Sequence, residues 1–142
     1  MKNLKLFSFV LVAVLSAVLF AGCVFGTVTI DNWQFKPEQA SGSSLDLTLI
    51  NSSAMTFDFT ITNKGNDREL LAESFKVIIK NGEQEVEADA VTFENLKTKI
   101  EFKANTSANI KLNAVATKSN LSENSKILIK YSGSLICEYK VK

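Results

Sequence analysis

A chain of 142 residues, 46% apolar, with 16 basic against 15 acidic side chains, amounts to about one domain. Near-neutral charge removes the basic stripe that a nucleic-acid partner would need. The absence of histidine excludes Ser-His and Cys-His catalysis, histidine metal sites and a histidine pH switch. One Pro, six Gly and ten Phe point to an ordered core.

Lys2 and Lys5 precede an uncharged run from Leu6 to Phe20, which ends in Phe20-Ala21-Gly22-Cys23. A positive start, a short apolar stretch and small residues before a cut describe an export signal. The last four residues resemble the lipobox of prokaryotic lipoproteins, with Phe20 in place of the usual leucine. The resemblance implies a signal peptide over 1–22 and an extracytoplasmic domain over 23–142. It also implies lipid attachment at Cys23 through a thioether-linked diacylglyceryl group, and two acyl chains give stable anchoring. The location implied is the cell membrane or, given Val24 after the cysteine, the outer membrane of a diderm. An uncleaved anchor helix over Leu6 to Phe25 is the alternative, because about 20 apolar helical residues span a bilayer. Either way the short basic tail stays inside and the rest faces out.

The mature 120 residues carry 14 basic and 15 acidic groups, since Lys2 and Lys5 leave with the signal. A domain of that size buries roughly two thirds of its chain surface. With Cys23 lipidated, Cys137 has no intramolecular disulfide partner and reads as a small buried hydrophobe, in step with Leu135, Tyr139 and Val141.

Period-two alternation predicts strands near 27–35, 44–50, 55–63, 74–80, 83–90, 97–103, 108–117, 125–130 and 134–141. Arg68 to Glu73 hints at a helical turn. Polar clusters separate these runs, so the expected fold class is all-β, an antiparallel sandwich of about seven to nine strands behind the amino-terminal signal or anchor helix. Asn81-Gly82 fits a two-residue type I′ turn, which would pair Lys80 with Glu83 and Lys76 with Glu87. At the carboxy terminus a two-residue turn at Ser132-Gly133 would put Ile127 and Ile129 out of phase with Cys137. A three-residue loop, Tyr131-Ser132-Gly133, restores the phase and sets Ile129 opposite Leu135, Ile127 opposite Cys137 and Lys126 opposite Glu138.

From Thr56 to Lys142 the pattern resembles the immunoglobulin-like, telokin-like sandwich of small exported lipoproteins. The likeness rests on the strand closing in Ile61-Thr62-Asn63-Lys64-Gly65, the strand ending in Asn81-Gly82, and the late strand entered from Asn105-Thr106-Ser107. The chain is also similar to the water-stress sandwich of late-embryogenesis-abundant proteins. Both resemblances imply the same fold, and neither brings a catalytic site.

Glu83, Glu85, Glu87 and Asp89 form an acidic run. Carboxylates at alternate strand positions start ~6.8 Å apart and point in parallel, whereas calcium needs six to eight converging oxygens. The expected reading is a solvated face with no metal and no cofactor. Trp33 is read as a core anchor sharing its face with Phe35, against a sugar-stacking platform. Thr56, Asp58, Thr60 and Thr62 form an outward stripe, with a flat ligand-binding surface as the alternative. Asn51, Asn105 and Asn120 each open an N-x-S sequon in a turn. No S-x-x-K, G-x-G-x-x-G or P-loop occurs, and no residue stands out as catalytic. The expected function is a membrane-anchored binding or interaction module of the cell envelope, partnered by the membrane and an envelope protein and not by nucleic acid. A structural or stress-protective envelope protein is the alternative, and an enzyme a more distant one.

Overall fold

The computed structural model describes residues 26–45, 54–116 and 122–142; the expected signal or anchor helix, Cys23, Asn51 and Asn120 lie outside them. Twelve strands are described: β1 (Val28–Ile30), β2 (Trp33–Pro37), β3 (Ser44–Leu45), β4 (Ala54–Asn63), β5 (Arg68–Leu71), β6 (Phe75–Asn81), β7 (Gln84–Glu87), β8 (Ala90–Phe93), β9 (Lys99–Phe102), β10 (Ser107–Val115), β11 (Lys126–Tyr131) and β12 (Ser134–Val141). They make one five-stranded sheet in the order β1-β2-β4-β10-β8, a second in the order β3-β12-β11-β6-β7, and a two-stranded β5-β9 pair. The two large sheets pack face to face, so the fold is an all-β sandwich.

Alternation explains which residues meet between the sheets. Phe57, Phe59 and Ile61 of β4, Val77 and Ile79 of β6, and Ile127 and Ile129 of β11 are all buried. Aromatic rings bridge the layers: Phe35 lies 5.8 Å edge-on from Phe75 and 4.9 Å from Tyr131, while Phe57 stacks on Tyr139 at 5.9 Å. Such pairs add about 0.5–1.5 kcal/mol each beyond the area they bury.

Several expected boundaries differ. The single strand at 27–35 is a hairpin, β1-β2, turned at Asp31 (φ 51°) and Asn32 (φ 62°). Two successive left-handed residues make the type I′ geometry that Asp and Asn tolerate. Arg68 to Glu73 is not helical at its start: β5 pairs with β9, and a single 3-10 turn follows at Ala72–Ser74. Leu70 is fully buried opposite Ile100, so tertiary pairing overrides the local hint. The 83–90 run divides into β7 and β8, which belong to different sheets.

Both hairpin registers move as well. Lys80 pairs with Glu85, not Glu83, because Asn81 stays in the strand opposite Gln84 and the loop is Gly82-Glu83. Gly82, at φ +60°, supplies the positive φ at the first loop position. A shift of two residues preserves the faces, so Val86 keeps its side of the sheet and lies opposite Ile79 in place of Val77. At the carboxy terminus the two-residue turn does form, with Ser132 at φ 48° and Gly133 at φ 84°. A β-bulge between Ile129 and Lys130 restores the phase, with Ile136 as the extra residue. Ile129 therefore faces Cys137, and Ile127 faces Tyr139. Lys126 lies opposite Lys140 and reaches Glu138 diagonally, at 3.5 Å. Cys137 is fully buried, as its alternation implied.

Tyr139 donates its hydroxyl to the Gln39 carbonyl (2.7 Å). Burial, then the neighbouring Cys137 and Asp58, hold its phenol far above the ordinary value of 10.0. A raised folded-state value means that the unfolded chain loses this proton first. The stabilisation is thus complete below pH 10 and declines as pH rises beyond it. Urea titrations between pH 9 and 12 should show stability falling in this window, and less steeply in Tyr139→Phe. Equal slopes would mean that Tyr139 ionises normally.

Candidate interaction site

Sequence reasoning left four candidate places, and the structure separates them. Trp33 is 2% exposed and meets Phe102 edge-on at 5.1 Å, with the Arg68 guanidinium 4.0 Å above its ring. It is a core anchor, with no open ring face to stack on a sugar.

Beneath that ring pair lies a hub that the sequence did not reveal. Asn63, fully buried at the end of β4, donates Nδ2 to the carbonyls of Asn66 (2.7 Å) and Lys103 (3.2 Å). Its Oδ1 accepts from the Gly65 N–H (3.0 Å) and from Arg68 Nε (2.9 Å). One amide thereby ties together the β4–β5 turn, the β9–β10 turn and a cation. Arg68 Nη2 is buried without a hydrogen-bond partner, and the guanidinium charge meets the Trp33 π face instead. The only cue in the sequence was Asn63-Lys64-Gly65, in which an Asn side chain accepts from the N–H two residues on. Nearby, Asp67 accepts the Ala104 N–H (2.8 Å), which lowers its carboxyl below the ordinary value.

The acidic run does not converge. Glu85 and Glu87 share the outer face of β7, Glu83 sits in the hairpin loop, and Asp89 lies past the strand, its N–H on the Val115 carbonyl. Among the described residues no group of three or more metal-binding side chains comes together. Asn105 is exposed in the β9–β10 turn, at φ 58°.

The Thr stripe faces outward as expected and is closed by partners on β10. Thr56 donates to Asn113 Oδ1 (2.8 Å), Thr60 donates to Asn109 Oδ1 (2.9 Å), and Thr62 shares a hydrogen bond with Ser107 (2.6 Å). Lys111 stands 4.0 Å from Asp58 between them. The result is a flat polar ladder whose hydroxyl groups are already hydrogen-bonded within the sheet.

The ladder ends at an interrupted edge. β4 pairs with β10 over its whole length, from Ser107 to Val115, but β8 pairs with it only from Leu112 to Val115. Phe93 gives its N–H to the Lys97 carbonyl (2.7 Å), so β8 leaves the sheet there through the turn Glu94–Leu96. Because Phe93 bonds away from β10, the hydrogen-bonded positions on this side fall at Asn113 and its alternate neighbours. Continued along β10, the same alternation turns the backbone N–H and C=O of Asn109 and Lys111 into the gap.

A cleft of about 110 Å³ occupies that gap. Phe93, Ile100 and Ile110 form its apolar part, and Glu94, Asn95, Lys97, Asn109 and Lys111 its polar rim. Asn95 and Leu96 are both left-handed (φ 61° and 58°), and Leu96 is 80% exposed. A leucine in that conformation costs about 1–2 kcal/mol, and such strain concentrates at binding sites. Chemically, the edge offers backbone donors and acceptors to an extended chain, beside a projecting apolar side chain. Comparison of the chain with family models, curated proteins and solved structures returns no match.

Proposed function

We propose that this protein is a lipid-anchored, extracytoplasmic β-sandwich of the immunoglobulin-like type that serves as an interaction module of the cell envelope. Cys23 carries the anchor, residues 1–22 are the removed signal, and the domain performs no catalytic step. Its partners are the membrane, through the lipid, and an envelope protein, through the open edge of β10. What supports the anchor is the Phe20-Ala21-Gly22-Cys23 motif behind a basic start and an apolar run. The single observation that supports the interaction role is the interrupted β10 edge, with strained, exposed Leu96 beside it.

Crosslinking in intact cells, with mass spectrometry of the linked peptides, tests both parts. Wild-type protein should fractionate with membranes and yield crosslinks from residues 94–97 or 109–111 to one envelope protein. Cys23→Ala should move the chain to the soluble fraction. Leu96→Gly should raise unfolding stability by about 1 kcal/mol through relief of the left-handed leucine, and should lose the crosslink. Crosslinks confined to the protein itself, or scattered over unrelated lipoproteins, would remove the interaction reading even if the anchor held.

A further inference from the structure

The outer face of the second large sheet carries lysines placed directly against one another. The register sets Lys80 of β6 opposite Lys126 of β11, and Lys126 opposite Lys140 of β12. Lys76 stands opposite Lys130 in a second row. Directly opposed side chains on neighbouring strands have Cβ atoms about 4.5–5.5 Å apart, and like charges so placed destabilise the sheet. Among the described residues Lys126 alone of these five lies within 4.0 Å of a carboxylate, Glu138 at 3.5 Å. Between the rows lie half-buried Ile78 and Leu128, so the face is flat and its centre weakly hydrated.

The opposite face of the sandwich is different in kind. Its Thr, Asn and Ser groups hydrogen-bond one another across β4 and β10, and its Lys111 approaches Asp58. One face is therefore matched internally, while the other holds three cations in line at the ~4.8 Å strand spacing, with its carboxylates set beside the row, Glu85 opposite Lys80 and Glu138 diagonal to Lys126. Lysines act as flexible point charges, suited to a repeating anion and not to one oriented carboxylate.

We infer that the β6–β11–β12 face binds a linear polyanion with closely spaced phosphate or carboxylate groups, the row Lys80, Lys126 and Lys140 lying along the polymer. The polymer, and not a bilayer headgroup layer, is the fitting source. The chain enters through β1, which belongs to the other sheet, and Cys23 is three residues from Gly26, a reach of about 11 Å. Sheets pack about 10 Å apart before outer side chains are added, so an anchor at Cys23 keeps this face off the bilayer. That choice of source rests on the anchor proposed above; the lysine contact does not.

The test uses the full chain in neutral detergent micelles, with inorganic polyphosphate as probe. Binding should weaken with salt, and K80Q/K126Q/K140Q should reduce affinity at least tenfold near 0.1 M salt. It should also lower the slope of log Kd against log salt by about 2, taking ~0.7 per contact as for a single-stranded polyanion. Its thermal unfolding should not fall, since repulsion has been removed. K36Q/K64Q/K99Q, with the same net charge change away from this face and from the β10 cleft, should bind like wild type. Equal loss in both triple variants, or no polyphosphate binding at all, overturns the inference. Tighter binding to micelles doped with phosphatidylglycerol than to polyphosphate also overturns it, by moving the ligand to the membrane surface. Failure of Cys23→Ala to leave the membrane bears on the anchor alone and leaves the polyphosphate result to stand or fall separately.

Discussion

Phe35→Ala is expected to lower the unfolding free energy by about 3–5 kcal/mol, the range for emptying a buried aromatic site. Phe35 has no exposed surface and is the ring that joins β2 to both Phe75 and Tyr131 across the sandwich. Those partners come from strands already locked by main-chain pairing, so the walls cannot collapse far into the space. A domain of this size has about 5–15 kcal/mol in all, so the variant approaches the limit of folding. With a urea dependence near 2 kcal/mol/M, the midpoint should drop by about 2 M. Val115→Ala, at a 38% exposed strand position, is the control and should change stability by no more than about 0.5 kcal/mol. A loss under 2 kcal/mol for Phe35→Ala would show that the rings repack.

Asn63→Leu should be as damaging for the opposite reason, since it removes no volume. It strips partners from the Gly65 N–H, Arg68 Nε and the carbonyls of Asn66 and Lys103 in a site with no exposure. Each orphaned buried group costs about 1–3 kcal/mol, and a charged donor more, so a loss of at least 3 kcal/mol is expected. Asn63→Asp separates the two halves of the hub. It keeps the acceptor for Gly65 and Arg68 but loses both donors, so it should fall between wild type and leucine. Aspartate equal to leucine would mean that the two donated bonds carry the whole effect. Thr60→Ala, which breaks a single exposed bond to Asn109, should cost well under 1 kcal/mol in the same assay.

Much of the fold was legible because side-chain parity is a hard constraint. The faces of β4, β6, β10 and β11 follow from alternation alone. What alternation does not fix is where a break in parity is absorbed. Val28 and Ile30 are in phase with each other but not with Trp33 and Phe35, which no continuous strand allows; the β1–β2 turn at Asp31-Asn32 was therefore readable and was missed. At the carboxy terminus the parity conflict was recognised, but a longer loop and a bulge resolve it equally well on paper. The chain uses the bulge at Ile136. The β6–β7 register differs by two residues, a change to which parity is blind, and it replaces the expected Lys80–Glu83 contact with Lys80–Glu85.

The candidate sites divide the same way. The Thr stripe and the burial of Cys137 are properties of single strands and could be read one strand at a time. The β10 cleft exists because β8 departs at Phe93, and the lysine row exists because two separate registers align across three strands. Neither is encoded in any one segment. Asn63 looked like one more turn residue, since nothing local marks an asparagine whose four partners come from two different turns and from β5.

The pairing of β3 with β12 joins Ser44 to Lys140, nearly the whole domain apart in sequence, and β12 separates β3 from β11. Contacts of such separation slow folding, because a large loop must close before they contribute. Tyr139 of β12 also stacks on Phe57 of β4, joining the two layers. The second sheet therefore cannot be completed, nor the layers sealed, until β12 has been made. A nascent chain with this topology remains an open thread until β12 has emerged.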